Sequence, residues 1–352
     1  MKVVVVKYNF LGNSGVKVSQ LCLGTMTFGS GFGRVGSVSQ DEANEMVEYA
    51  IQQGINFFDT ADIYSMGDSE KTLGSALKAA GVKRDSVIIA TKVRRQMSDS
   101  VNDLGLSRHH ILNAVENSLR RLQVDYIDLY QVHSWDPASP LEETMQALND
   151  LVRWGKVRYI GVSNFAAWQV AKASNIAEKR GWTKFITYQG YYSLVGRGIE
   201  NEIVPFCLDQ KMGILAWSPL AGGVLSGKYR KGRPFPKGTR IEEGLKGFIP
   251  VAEETLYPIL DVIDTISHAH DVPVATVALT WLRYQKAVSS VIIGARNMAQ
   301  LEENMKAGEL ELDREEIEKL NQVSSPELPY PQWMFEWNTR DRQSRNNADS
   351  GR

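Results

Sequence analysis

From residue 20 onward, short apolar runs rich in β-branched and aromatic residues alternate with longer stretches in which apolar side chains return every three or four positions. The first kind of run has the length of a strand, the second the period of an amphipathic helix. The pattern predicts strands at 20–26, 55–59, 86–92, 127–132, 157–162, 185–189, 213–217 and 290–293. It predicts helices at 41–53, 69–80, 108–122, 141–154, 166–180, 201–211, 255–269 and 298–306, with an extra helical pair near 273–285 and 313–323. Strands alternating with helices argue for a parallel sheet covered by helices. Eight such units point to a (β/α)8 TIM barrel of the α/β class, rather than a doubly wound sheet. The open sheet would want a glycine fingerprint directly after its first strand, and the cluster Gly29-Ser30-Gly31-Phe32-Gly33 runs on through Gly36 to Ser39 with the wrong spacing.

Three segments depart from the alternation. Residues 8–19 alternate apolar and polar around Asn13-Ser14-Gly15, the signature of a hairpin, so 1–19 reads as an N-terminal β-hairpin preceded by an edge strand at Val3–Val6. Residues 226–250 form a Gly/Pro-rich insertion of net positive charge after the seventh strand, long enough to serve as a cofactor-covering loop. The tail 326–352 carries Trp333, Phe335 and Trp337 before turning polar, and three large rings are costly to leave in water. No shift of composition marks a linker, so 1–352 is expected to be a single barrel domain bearing these appendages.

Composition narrows the function. Of 352 residues, 43% are hydrophobic and 23% charged, which supplies a large core and excludes disorder as the dominant state. Forty Lys and Arg balance 41 Asp and Glu, so the basic excess that carries nucleic-acid or membrane-surface binding is missing. The two cysteines, Cys22 and Cys207, lie inside apolar runs and form neither a disulfide framework nor a zinc cluster. No apolar run approaches the length needed to cross a bilayer, and the N-terminal one is too short for a signal peptide. A cytoplasmic protein acting on a small molecule is expected, without nucleic acid or membrane as partner; the oligomeric state stays open.

Reactive groups in such barrels sit at the C-terminal ends of strands. There the sequence offers Asp59 at the end of the second strand with Tyr64 on the loop behind it, Lys92 at the end of the third, and His133 at the end of the fourth. Singly, each has a plain structural use: a helix cap, a solvated strand end, a hydrogen-bonded histidine. Together they gather complementary charges at one rim. A phenol is neutral at pH 7 and can donate a proton to a carbonyl oxygen. An adjacent Lys92 ammonium is expected to lower its pKa, with Asp59 holding the lysine and His133 orienting the oxygen. The set supplies no electrons, so redox chemistry would need a cofactor.

At these residues the chain resembles the aldo-keto reductase superfamily, over nearly its whole length. The resemblance rests on Asp59-Thr60-Ala61-Asp62-Ile63-Tyr64, Ala90-Thr91-Lys92, the stretch Asp125 to His133, Gly161-Val162-Ser163-Asn164-Phe165, and Trp217-Ser218-Pro219-Leu220. It implies hydride transfer between NADPH and an aldehyde or ketone, without metal, with Asp59, Tyr64, Lys92 and His133 as the catalytic tetrad. It further implies that Ser163, Asn164 and Gln189 bind the nicotinamide carboxamide, that the ring stacks on Trp217, and that Ser218, Leu220, Gly222, Leu225 and Lys228 cradle the pyrophosphate. Gly294, Arg296, Gln300 and Asn304 fall where the adenosine 2′-phosphate and adenine bind. Here the chain departs from the branch with a Lys-Ser pair and a later arginine, and is similar to the bacterial and potassium-channel β-subunit branches, with NADH as a second choice.

The expected substrate pocket is aromatic, lined by Phe28, Trp135, Trp333 and Trp337. Two other readings compete with carbonyl reduction: a lyase forming a Schiff base on Lys92, which a charged Asp59 partner opposes, and a slow-turnover redox sensor resembling a channel subunit.

Overall fold

The computed structural model describes residues 6–30, 37–229, 251–335 and 338. Strands β1 (Tyr8–Phe10) and β2 (Lys17–Ser19) pair antiparallel with Phe10 opposite Lys17, and the Leu11 N–H closes their turn on the Val16 carbonyl at 2.8 Å. The expected edge strand falls mostly outside the described residues, and Val6 and Lys7 are not in a strand. Eight parallel strands then close into a barrel: β3 (Leu21–Gly24), β4 (Phe57–Asp59), β5 (Ile88–Val93), β6 (Ile127–Val132), β7 (Val157–Ser163), β8 (Thr187–Tyr191), β9 (Gly213–Trp217) and β10 (Val288–Gly294), the last pairing back onto β3. The fold is therefore the (β/α)8 barrel that the alternation implies, each strand lying within a few residues of its expected position.

The helices are α1 (Gln40–Gln52), α2 (Asp68–Ala79), α3 (Arg108–Leu122), α4 (Leu141–Arg153), α5 (Ala167–Arg180), α6 (Ile203–Gln210), α7 (Glu253–His270), α8 (Val274–Arg283), α9 (Met298–Met305) and α10 (Arg314–Val323). Ser39 and Asp313 begin α1 and α10 with reciprocal capping boxes to Glu42 and Glu316, which satisfy backbone N–H groups that a helix start leaves open. One assignment changes. The helix expected as an extra, α8, packs on β10 and is buried at every position from Ala275 to Leu282, as a helix apolar all round must be. α7 packs against α8 and α10.

Two apolar cores follow from the two-residue period of the strands. Outward residues such as Ile89, Val93, Tyr130 and Ile160 meet the helices. Inward residues Cys22, Phe57, Ala90, Leu129, Leu215 and Ile292 fill the barrel together with Leu11 and Val18 of the hairpin. The hairpin thus plugs the N-terminal end. Its turn approaches so closely that a Cβ on Gly12 would stand 2.0 Å from the Ile186 carbonyl oxygen, and Gly12 has φ +56°. Both cysteines are buried free thiols, and among the described residues no helix is long and apolar enough to cross a membrane.

Gly12→Ala is expected to lower stability by at least about 2 kcal/mol, since it adds a steric clash to a left-handed backbone. Urea unfolding monitored by tryptophan fluorescence checks it; a midpoint equal to wild type would mean that the hairpin is not seated against the barrel.

Candidate active site

The same two-residue period sets the chemistry. One inward step beyond the apolar layer of Phe57, Ala90, Leu129 and Leu215 stand Asp59, Lys92, Gln131 and Trp217, with Ser163 on β7 and Gln189 on β8 completing the tier. Register aligns them, Lys92 lying opposite Gln131 and Ser163 opposite Gln189. Apolar side chains close the barrel below; polar ones occupy its C-terminal mouth.

Lys92 is fully buried and Asp59 nearly so. The Lys92 ammonium donates to Asp59 Oδ1 at 2.5 Å and to the Thr60 carbonyl at 2.7 Å. Asp59 Oδ2 accepts from Gln131 Nε2 at 3.1 Å and from Gln189 Nε2 at 2.8 Å. Both carboxylate oxygens and the ammonium are thus engaged, which a buried pair requires if attraction is to offset desolvation. The third ammonium contact reaches the Tyr64 hydroxyl at 3.5 Å. Tyr64 opens a turn whose next two residues, Ser65 and Met66, both have left-handed backbones at φ 49° and 53°, a strained geometry of the kind found at functional sites. The Ser65 hydroxyl donates to the Phe28 carbonyl at 3.1 Å and steadies it. His133 follows β6, its ring edge-on to Tyr64 with centroids 5.9 Å apart.

The electrostatics correct one expectation. Burial disfavours the Lys92 ammonium, but the Asp59 charge and the hydrogen bonds it accepts carry the net shift above the ordinary lysine value. Burial likewise pushes the Tyr64 phenol up, and Lys92 pulls it down without cancelling that effect. Lys92 therefore acts in the expected direction, yet the net shift of Tyr64 is upward rather than downward. His133 is held well below the ordinary histidine value by burial and then by the charges of Lys92, Arg95 and Arg94. The imidazole is neutral at pH 7 and carries one N–H; its Nδ1 is buried without a hydrogen-bond partner.

The chain that folds into this plugged (β/α)8 barrel also matches a family model by sequence. The aldo/keto reductase family model aligns with residues 20–325. The chain belongs to the aldo/keto reductase family. It is 39% identical over 327 residues to an uncharacterized oxidoreductase, YrpG, of Bacillus subtilis, covering 90% of this chain and 95% of that one. It is 35% identical to the versiconal hemiacetal acetate reductase of Aspergillus parasiticus, over 92% and 99% of the two chains. It is also 35% identical to a putative aryl-alcohol dehydrogenase of Schizosaccharomyces pombe, over 91% and 96%. The protein is an oxidoreductase of a family that acts on small molecules with nicotinamide cofactors.

The remaining expected site residues of this aldo/keto reductase divide by location. Asn164, at φ 55°, donates to the His133 carbonyl and to Ser163 Oγ, both at 2.9 Å, and accepts from the Trp217 indole at 3.2 Å. Trp217 also leans on Tyr191, centroids 5.3 Å apart, so its ring is fixed at the mouth. Beyond it, Ser218 Oγ accepts from the Gly222 N–H at 3.1 Å, and Gly222 and Gly223 have φ +68° and +100° with open space where a Cβ would stand. Gly294 is likewise open. Lys228 is exposed and Leu220 half-buried. Gln300 and Asn304 do share a face of α9, and both brace the preceding backbone: Gln300 Oε1 accepts from the Arg296 N–H at 3.0 Å and Asn304 Nδ2 donates to the Gly294 carbonyl at 3.1 Å.

Two expected contacts are withdrawn. Phe28 is wholly buried in the outer core and has no surface for a substrate. Leu225 is also wholly buried, and its N–H is taken by the Leu220 carbonyl. Trp135 is half-buried, edge-on to Phe165 at 5.1 Å and 6.0 Å from the exposed Trp168, an aromatic extension missed in the sequence. In the tail, Gln332 donates to the Asn201 carbonyl behind β8, placing the segment at the C-terminal side of the barrel, while Trp333 is half exposed against Tyr330. Trp337 and most of the cationic insertion lie outside the described residues. Gln131, unmarked by the sequence reading, is the residue the site adds.

Lys92→Met should cost about 3–5 kcal/mol by leaving the Asp59 carboxylate buried and unpaired. The double variant Asp59→Asn/Lys92→Met should recover part of that loss. Thermal denaturation of the four proteins checks this, and additive losses would exclude the coupling.

Proposed function

We propose that the chain reduces an aldehyde or ketone to the alcohol in an NADPH-dependent reaction, with Tyr64 as proton donor. The observation that carries this reading is the Tyr64 hydroxyl held 3.5 Å from an ammonium that Asp59 anchors, beside a neutral His133. A carbonyl oxygen seated between Tyr64 and His133 meets one O–H and one N–H donor. When bound, the nicotinamide supplies the hydride. As negative charge develops on the substrate oxygen, Tyr64 releases its proton to it, and the Lys92 ammonium stabilises the phenolate left behind. His133 orients the oxygen while remaining neutral, and Asp59, held by Gln131 and Gln189, keeps Lys92 charged.

The residues present fit such a cofactor. Glycines with unfilled space beside their backbones at 222, 223 and 294 and a tryptophan fixed by Asn164 suit a flat ring and an extended diphosphate. Ser163, Asn164 and Gln189 would hold the carboxamide, Trp217 the ring, Ser218, Gly222 and Lys228 the diphosphate, and Arg296 a 2′-phosphate, with NADH as second choice. Relatives named as a hemiacetal acetate reductase and as a putative aryl-alcohol dehydrogenase support the carbonyl–alcohol couple, and Trp135 suits an apolar or aromatic substrate. The Schiff-base reading is disfavoured by a Lys92 that the Asp59 contact keeps protonated. A cytoplasmic setting accords with the two free thiols.

A panel of aldehydes with NADPH oxidation followed by absorbance tests the reading; rapid turnover would also exclude the slow sensor. Tyr64→Phe should retain cofactor affinity and lose about 10²–10⁴-fold in turnover; activity within a few-fold of wild type would reject the proton donor. Because burial raises the Tyr64 pKa, the acid stays protonated through neutrality, and reduction should fall only as pH passes above the ordinary phenol value of about 10. Arg296→Ala should weaken NADPH binding by about 10- to 100-fold with little effect on NADH. Fluorescence titration of both cofactors checks this, and equal losses would remove Arg296 from the phosphate.

A further inference from the structure

Two cations stand just beyond the end of β5 with no part in the proton transfer just described. β5 ends at Val93, whose carbonyl accepts from the His133 N–H at 2.9 Å, and the next residues are Arg94 and Arg95. The Arg94 carbonyl accepts from the Gly105 N–H at 2.8 Å, so the backbone that launches both side chains is tied on either side. Arg94 holds φ 143°, a conformation in which a non-glycine residue is strained. Both charges reach His133, where they oppose its protonation.

Unlike several other arginines, these two have no acid to pair with among the described residues. Arg84, Arg108, Arg121 and Arg197 each pair with a carboxylate. Among the described residues, no carboxylate pairs with Arg94 or Arg95, and Arg94 Nε is buried without a hydrogen-bond partner. Asp136 feels the Arg94 charge, but its oxygens are engaged elsewhere: Oδ1 by the Ala138 N–H at 3.1 Å, Oδ2 by the Leu106 N–H at 2.8 Å and the Ser139 hydroxyl at 2.7 Å. A buried donor without a partner is costly, and guanidinium groups match carboxylate oxygens.

We propose that Arg94 and Arg95 form an anion subsite on the rim next to His133, and that the preferred substrate is a carbonyl compound bearing a carboxylate away from the reacting carbon. The inference rests on carbonyl reduction as the activity. The subsite recognises the anionic end, while Tyr64 and His133 address the carbonyl oxygen; neither arginine takes part in proton transfer.

The test compares 4-carboxybenzaldehyde with its neutral methyl ester, by NADPH oxidation and by direct binding read from tryptophan fluorescence. Wild type should prefer the acid by about tenfold or more, chiefly through KM, and the preference should shrink as salt screens the charge. In Arg94→Met/Arg95→Met the acid-to-ester ratio of kcat/KM should drop about 10- to 100-fold, and Arg94→Lys/Arg95→Lys should restore part of it. Equal handling of the two compounds by wild type, or a ratio that the Met variant leaves in place, overturns the subsite, as does an equal loss for both. Absence of turnover with both compounds counts against carbonyl reduction instead, and the binding ratio then decides the charge reading by itself.

Discussion

The buried pair of Lys92 and Asp59 is the contact on which the site depends. An ammonium in the interior of a barrel is tolerated only if its charge is met there, and the structure meets it from β4, β6 and β8 together: Asp59 directly, with Gln131 and Gln189 holding the far oxygen. The positions of Tyr64 and His133 have meaning only with respect to that fixed cation. Its field reaches the phenol, where burial outweighs it, and the imidazole, where it adds to burial. One charge therefore favours the ionised form of one neighbour and the neutral form of the other.

Much of this was legible in the amino-acid order. Strand and helix positions followed from periodicity because the barrel strands are largely apolar and most helices amphipathic, and Asp59, Tyr64, Lys92 and His133 stood out as titratable groups at strand ends or on the loop behind one. Gln131 did not, since an amide at an inward strand position carries no local signal; only pairing of β5 with β6 sets it opposite Lys92. Phe28 looked like a site residue as an aromatic on the loop after the first strand and Leu225 by the family resemblance, yet burial is a property of the folded whole. The role of α8 was misjudged for a related reason: two consecutive apolar helices do not announce which one will face the sheet. The sign of the Tyr64 shift likewise required knowing how deep the phenol lies.

The rim shows how a shared scaffold differentiates. The four groups at the centre are locked by one another, so variation there would unpair a buried charge. Residues one step further out, such as Arg94, Arg95, Trp135 and Trp168, are supported by loop backbone and by rings that touch each other. On the proposed reading, changing them would alter what the mouth admits without disturbing Asp59 or Lys92. That reading assigns chemistry and selectivity to different layers of the same barrel mouth.

The hairpin has a kinetic consequence. With Leu11 and Val18 sealing the lower end and apolar side chains filling the interior, the described residues leave the polar tier open to approach from the C-terminal rim rather than from below. On the proposed reading, two reactants that must meet inside it both enter by that rim, so the one whose seat lies deeper has to arrive first and depart last. Queueing of this kind needs no moving gate; a floor is enough.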